Sequence, residues 1–328
     1  MNRKDMIVDV RTIYETGKRS NQEDSVYPMM NDGTSSQKFF LLCDGMGGHV
    51  NGHLASSTVC RTMGGILNDV AAARDIQEDD FMVALDAAYQ ALDAVDDEDT
   101  DKKMGTTLTF VSFSSKGALV DHIGDSRIYH IRPSAEKPIL YKSMDHSLVN
   151  DLFRIGEISE EEMATSKSRH ILTRAVQPHQ EYRAEADIHL LTDVQPGDYF
   201  YLCSDGMLEN ISDTGLVEIL SAAVDDNEKK RRLIENSMEN KDNHSAFLIR
   251  VGGSKAKTNV PVSRQGKPHQ EIQPVSVGRS NLSVKYIGIL LIVLALIVGA
   301  VLAYLLWPEP EPEPLNGFEW LMMELNMR

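Results

Sequence analysis

The sequence predicts an α+β domain followed by one transmembrane helix, and three observations carry that reading. Residues 39–43 and 199–203 are short apolar runs that each lead into an Asp-Gly pair, and residues 106–131 are dense in β-branched and aromatic side chains, as buried strands are. Phe81, Leu85, Ala88, Leu92 and Val95 recur at alternating steps of four and three, the apolar stripe of an amphipathic helix. Residues 286–306 carry no charge and consist mainly of Ile, Leu, Val and Ala. At about 1.5 Å per residue they reach across roughly 30 Å of bilayer core.

Taken in order, residues 7–14 alternate loosely, as a strand does. The polar segment Gly17-Lys18-Arg19-Ser20-Asn21-Gln22-Glu23-Asp24 follows, in which Arg19 suits a phosphate and Glu23 and Asp24 suit waters on a cation. The run 39–43 exits at Asp44, where Gly45, Gly47 and Gly48 permit a tight turn. Residues 50–67 read as a helix. His49 and His53 stand four apart, a spacing zinc accepts, but no Glu sits between them in the metalloprotease arrangement, so packing beside the turn is the better reading of His49. The acidic stretch 96–101 reads as a solvated loop.

Residues 106–113, 118–123 and 127–131 are three strands, with Ser114-Ser115-Lys116-Gly117 as a hairpin turn and Gly124-Asp125-Ser126-Arg127 at the second junction. Asp145-His146-Ser147-Leu148 opens a capped helix that residues 155–159 close into a polar loop. Residues 199–203 repeat the opening theme before Asp205-Gly206. Helices over 213–223 and 227–239 follow, and Asp242-Asn243-His244-Ser245 leads into a last strand, 246–251.

Asp44, Asp125, Asp205 and Asp242 therefore all stand at predicted strand boundaries. Carboxylates gathered at sheet ends make a site of high negative charge that needs cations to be stable. Oxygen-only ligation by Asp44 with the Gly45 carbonyl suits magnesium or manganese rather than zinc. The net charge of −16 lies almost wholly before Gly253, which argues against nucleic acid as a partner. Cys43, Cys60 and Cys203 show no CxxC spacing and read as reduced thiols, and the first residues contain no apolar stretch like a signal peptide. The main domain, 1–252, is accordingly expected in the cytoplasm.

Residues 253–285 are rich in Gly, Ser, Pro and Gln and net basic, and read as a flexible linker. Lys285 on one side of the apolar stretch and Tyr304 and Trp307 at the other resemble interfacial anchors. The basic flank places the domain inside and the tail, 307–328, outside the inner membrane by the positive-inside rule. The Pro-Glu run from Pro308 to Pro314 is a stiff spacer.

Taken together, these stretches resemble the metal-dependent protein phosphatases of the 2C type, and their bacterial branch in particular. The likeness rests on Arg19-Ser20-Asn21-Gln22-Glu23-Asp24, Asp44-Gly45-Met46-Gly47-Gly48-His49, Met104-Gly105-Thr106-Thr107, Gly124-Asp125-Ser126-Arg127, Asp145-His146-Ser147, Leu172-Thr173-Arg174-Ala175-Val176, Ser204-Asp205-Gly206 and Asp242-Asn243, in that order. It implies a four-layer αββα sandwich of two antiparallel sheets flanked by helices, with metals in a cleft at one end. It implies that Asp44, with the Gly45 carbonyl, bridges two Mn or Mg ions completed by Asp205 and Asp242. Asp125 with Asp205 would hold a third, weaker ion. Arg19 would bind the substrate phosphate, Glu23 and Asp24 would order waters at the metals, and residues 148–169 would form a flap. Met46 stands where many eukaryotic members carry a His, which leaves His49 as a weak candidate proton donor. Gln177 and His244-Ser245 depart from the usual Gly and Ile-Thr without removing a ligand.

The activity so implied is hydrolysis of phosphoserine and phosphothreonine in proteins, opposing a Ser/Thr kinase from a membrane tether. A phosphatase of a stress-signalling regulator is the nearest enzyme alternative. A catalytically silent module that docks phosphoproteins is the alternative of a different class.

Overall fold

In the computed structural model, residues 7–47, 50–96, 104–168 and 170–252 are described. The predicted linker, membrane helix and tail, and His49, lie outside them. No helix among the described residues is long and apolar enough to cross a membrane.

The chain opens with β1 (Val8–Glu15), β2 (Ser25–Tyr27), β3 (Gly33–Ser35), β4 (Phe39–Cys43) and the short β5 (Gly45–Met46). Two long helices follow, α1 (Val50–Ala73) and α2 (Glu78–Val95), then β6 (Gly105–Thr106), β7 (Leu108–Ser114), β8 (Gly117–Ile123), β9 (Arg127–Ile131) and β10 (Ile139–Lys142). After α3 (Leu148–Arg154) and α4 (Glu160–Thr165) come β11 (Asp187–Leu191), β12 (Tyr199–Cys203), a 3₁₀ turn at Asp205–Met207, α5 (Asp213–Ser221), α6 (Asp226–Ser237) and β13 (His244–Val251).

Two antiparallel sheets result, ordered β10-β9-β12-β13-β1-β3 and β11-β8-β7-β4-β2. Their alternation of side chains builds three cores and hence the expected four layers. Phe40, Leu42, Val111, Val120, Phe200, Leu202, Phe247 and Ile249 fill the space between the sheets, where Phe40 meets Phe247 edge-on at 5.1 Å and Phe113 meets Phe200 at 5.0 Å. The alternate residues Phe39, Leu41, Phe110 and Leu119 pack under α1 and α2, and Tyr129, Tyr201 and Leu248 pack under α5 and α6. A strand buried on both faces needs apolar side chains at every position, which is why 39–43 and 199–203 read as unbroken apolar runs.

Among the described residues the predicted strands and helices are present, with differences that have local causes. The expected strand 106–113 divides: Gly105–Thr106 pairs with β5 in a separate ladder, and Thr106 also bridges to Val176, so the chain turns before Leu108 joins the five-stranded sheet. Helix α1 runs on past Leu67 to Ala73. The sequence pattern does not predict β2, β3, β10 and β11; all four are short, and each lies at the edge of its sheet. The polar loop expected over 155–159 is present, and it leads into a helix the pattern does not predict, α4, because Ser159 accepts from Glu162 N–H while the Glu162 carboxylate accepts from Ser159 N–H, a capping box.

Candidate active site

Four strand ends meet at one end of the sandwich. Asp44 leaves β4, Asp125 lies in the turn from β8 to β9, Asp205 leaves β12 and Asp242 precedes β13. In the register, Cys203 pairs with both Arg127 and Ala246, which brings three of these ends together across neighbouring strands. A cleft of about 500 Å³ is lined by all four aspartates with Arg19, Glu23, Gly45, Met46 and Arg174.

The Asp44 peptide is held from the side by two threonines. Its N–H donates to Thr107 Oγ1 (3.0 Å), and its carbonyl accepts from Thr106 Oγ1 (2.8 Å) and Thr107 N–H (2.8 Å). Thr107 Oγ1 also lies 2.7 Å from Ser126 Oγ, which ties the Asp44 turn to the Asp125 turn. Neither Thr106 nor Ser126 carries a chemical signature of its own; only their motif position in the sequence points to them.

Gly45 is there for more than its turn. A Cβ at Gly45 would lie 2.1 Å from the Gly52 carbonyl oxygen and 2.5 Å from that of Glu23, so α1 and the Arg19–Asp24 segment close directly onto this backbone. Gly45→Ala should therefore cost about 1–3 kcal/mol of stability and most of the activity, read by thermal unfolding and phosphate release; full activity at unchanged Tm would refute the contact.

The electrostatics are those of a cation site. The Asp44 carboxyl is held well above the usual carboxylate range, first by burial and then by the charges of Asp24, Asp205, Asp125 and Asp242. Burial and Asp205 push Asp125 up to about 7. Asp205 is raised by burial and by Asp242, and its carboxyl is in hydrogen-bonding contact with that of Asp44. Carboxylates packed so closely repel one another unless protons or cations lie between them. Carboxylates with one nearby carbonyl are hard oxygen donors, so the residues present fit Mg or Mn.

Arg19 sits at the cleft, its Nη2 donating to Asp242 Oδ2 at 2.6 Å. Asn243 places it: Asn243 Nδ2 donates to the carbonyls of Thr16 and Asn21, and its Oδ1 accepts from Glu23 N–H at 2.8 Å. Glu23 lines the cleft, whereas Asp24 is buried beneath it, its Oδ2 accepting from Ser204 Oγ at 3.0 Å. Burial, with Asp205 and Asp242 adding their charge, pushes Asp24 up to about 7. Cys43 and Cys203 are free, fully buried and raised by that burial, the wrong condition for a thiolate nucleophile.

A two-sheet α+β sandwich with a carboxylate-ringed cleft at its strand ends is thus the class of protein that fold and site define. The family described as protein phosphatase 2C matches residues 18–254. Protein phosphatase PhpP of Streptococcus pneumoniae is 28% identical over 244 residues, which cover 73% of this chain and 96% of that protein. The crystal structure of the Mycobacterium tuberculosis serine/threonine phosphatase PstP superposes with a TM-score of 0.63 at 28% identity, covering 75% of this chain and 99% of that one. A structure of the PstP catalytic domain in complex with two manganese ions gives 0.60 at 28% identity, with the same coverage. This chain belongs to the protein phosphatase 2C family.

Proposed function

We propose that this chain is a manganese- or magnesium-dependent phosphatase of phosphoserine and phosphothreonine in proteins, tethered to the inner membrane by residues 286–306 and opposing a bacterial Ser/Thr kinase. The convergence of Asp44, Asp125, Asp205 and Asp242 on one cleft with Arg19 carries the reading. The resemblance to PhpP and to the manganese complex of PstP supports it.

Asp44, with the Gly45 carbonyl, Asp205 and Asp242 would hold two cations, and Asp125 with Asp205 a third. When bound, the cations supply an activated water and neutralise charge that builds on the phosphoryl group. The protein's part is placement. Thr106 and Thr107 hold the Asp44 turn, Asn243 holds the Arg19–Asp24 loop, and Arg19 offers its guanidinium to the phosphate oxygens. Glu23, at the cleft wall, would order water around the cations, and Asp24, buried beneath it, would act only through its charge. No side-chain nucleophile is required.

The test is phosphate release from a phosphothreonine peptide by the full chain, with manganese and with EDTA. Turnover that EDTA abolishes and added manganese restores is the expected result. A folded protein that binds the peptide and releases no phosphate in either metal would instead be a silent docking module. The tether rests on the uncharged 21-residue stretch and its basic flank, 253–285. In cell fractions the full chain should sediment with membranes through a carbonate wash, while residues 1–252 stay soluble. Tethering raises the effective concentration toward membrane-bound kinases.

A further inference from the structure

Beside the cleft, His122, His146 and Asp187 bring one ligating atom each within 4.8 Å of one another. Such a trio suggests a second metal centre, and its hydrogen bonds argue otherwise. His122 Nε2 lies 2.8 Å from the Met144 carbonyl, which can only accept, so Nε2 carries the ring proton. His146 Nδ1 lies 3.1 Å from the Gly124 N–H, which can only donate, so Nδ1 is bare and Nε2 carries the proton. That proton faces Asp187 Oδ2 at 3.2 Å, while Arg174 Nη1, which donates to the other oxygen of that carboxylate, lies 3.4 Å from the same nitrogen. A cation on His146 Nε2 would have to strip this proton or drive it onto Nδ1 against the Gly124 amide. The two rings also stack, with centroids 4.5 Å apart and planes 16° from parallel, so their in-plane lone pairs run side by side rather than converging.

What the cluster does hold is the turn that carries Asp125. Residue 146 grips the Gly124 peptide at both ends: the ring accepts from Gly124 N–H, and the His146 N–H donates to the Gly124 carbonyl at 2.9 Å. Gly124 takes φ +104°, and a Cβ there would lie 2.7 Å from Thr107 Cγ2, so the turn rests on the residue that also holds Asp44. Behind the ring, Asp187 Oδ1 accepts from Arg174 Nη1 at 2.9 Å, and Arg174 lines the cleft. His122 supports the stack from below and fastens β8 to residue 144.

We propose that His146, oriented by Asp187, is the positioning residue for Asp125 and sets how tightly the cleft holds its cation at the Asp125–Asp205 end. The proposal rests on the cation-site reading above. It assigns the function to one atom, Nδ1, as acceptor for Gly124 N–H. Asparagine places its Oδ1 near the position of Nδ1, whereas glutamine places its Oε1 near that of Nε2.

The test compares full-length wild type with His146→Asn, His146→Gln, His146→Leu, Asp187→Asn and Asp125→Asn. Manganese affinity is measured by calorimetry, independently of turnover, with circular dichroism as the check of folding. His146→Gln and His146→Leu should weaken the weakest manganese site about 10-fold or more, the size found for residues that orient metal ligands. Asp187→Asn should weaken it less, and His146→Asn should return to within about threefold of wild type. A role in packing alone predicts no rescue by asparagine over glutamine. The proposal is overturned if all His146 variants bind manganese as wild type does while Asp125→Asn does not, which leaves the cation-site reading standing. If Asp125→Asn itself binds normally, that reading of Asp125 fails and the proposal with it. One equivalent of zinc held by wild type and lost in His146→Leu would make the cluster a metal centre after all, and would also overturn it.

Discussion

Replacing Asp205 with asparagine should nearly abolish phosphate release and, at the same time, stabilise the metal-free protein. Asp205 lies against Asp44 and feels Asp242, and its carboxyl is raised by burial and by those charges. A carboxyl whose folded pKa exceeds its unfolded value, near 4, contributes its stability below the unfolded pKa and loses it as pH rises through the folded one. In EDTA at pH 8 the wild-type cluster is therefore strained, and an uncharged residue at 205 relieves part of that repulsion. Manganese should reverse the order, since cations bound only by the folded state stabilise it by mass action, and the variant would lack one of the proposed ligands. Loss of several kcal/mol of transition-state stabilisation corresponds to about a thousandfold or more in kcat/KM. Calorimetric scans with and without manganese, beside assays on p-nitrophenyl phosphate, read both signs. A variant that keeps activity within tenfold of wild type would remove Asp205 from the site.

Asp121 should produce the largest stability gain available outside the cleft. On β8 it shares a face with Leu119 and Ile123, which pack beneath the α1/α2 layer, so its side chain enters an apolar core. It is fully buried, and neither carboxyl oxygen has a hydrogen-bond partner among the described residues. Burial, and secondarily Glu78, holds this carboxyl well above its ordinary range. The sign follows as for Asp205: its stability is intact below about pH 4 and is lost as pH rises through the folded pKa. Asp121→Leu should gain about 1–3 kcal/mol at pH 4, the usual cost of a buried unsatisfied polar group, and more at pH 8, where the penalty on the ionised form adds to it. Asp121→Asn should flatten the pH dependence while keeping some of the cost of burying an amide. Thermal unfolding in EDTA from pH 4 to 8 checks this, and parallel curves for wild type and Asp121→Leu would contradict it.

Much of the cleft is legible in the amino-acid sequence. Buried strands demand unbroken apolar runs, and a carboxylate within a residue or two of the end of such a run lies at a sheet end; Asp44, directly after its run, and Asp205, one residue further on, announce themselves this way. Helix α2 is legible because its burial follows the helical period, with Phe81, Leu85, Ala88 and Leu92 all in the core. The edge strands β10 and β11 are not: both are short, none of their residues is fully buried, and they become strands because β9 and β8 offer them partners.

By itself, then, the sequence determined the class of fold and placed four acids at strand ends, because burial is written in local composition. Only the tertiary structure decided that Arg19 meets Asp242 across 223 positions of sequence, that Gly45 is small because α1 closes on it, and that His146 reaches from its loop to Gly124 in a turn and to Asp187 at the start of β11. Those contacts depend on strand order and register, which set distances between residues far apart in the chain and leave no periodic trace within it.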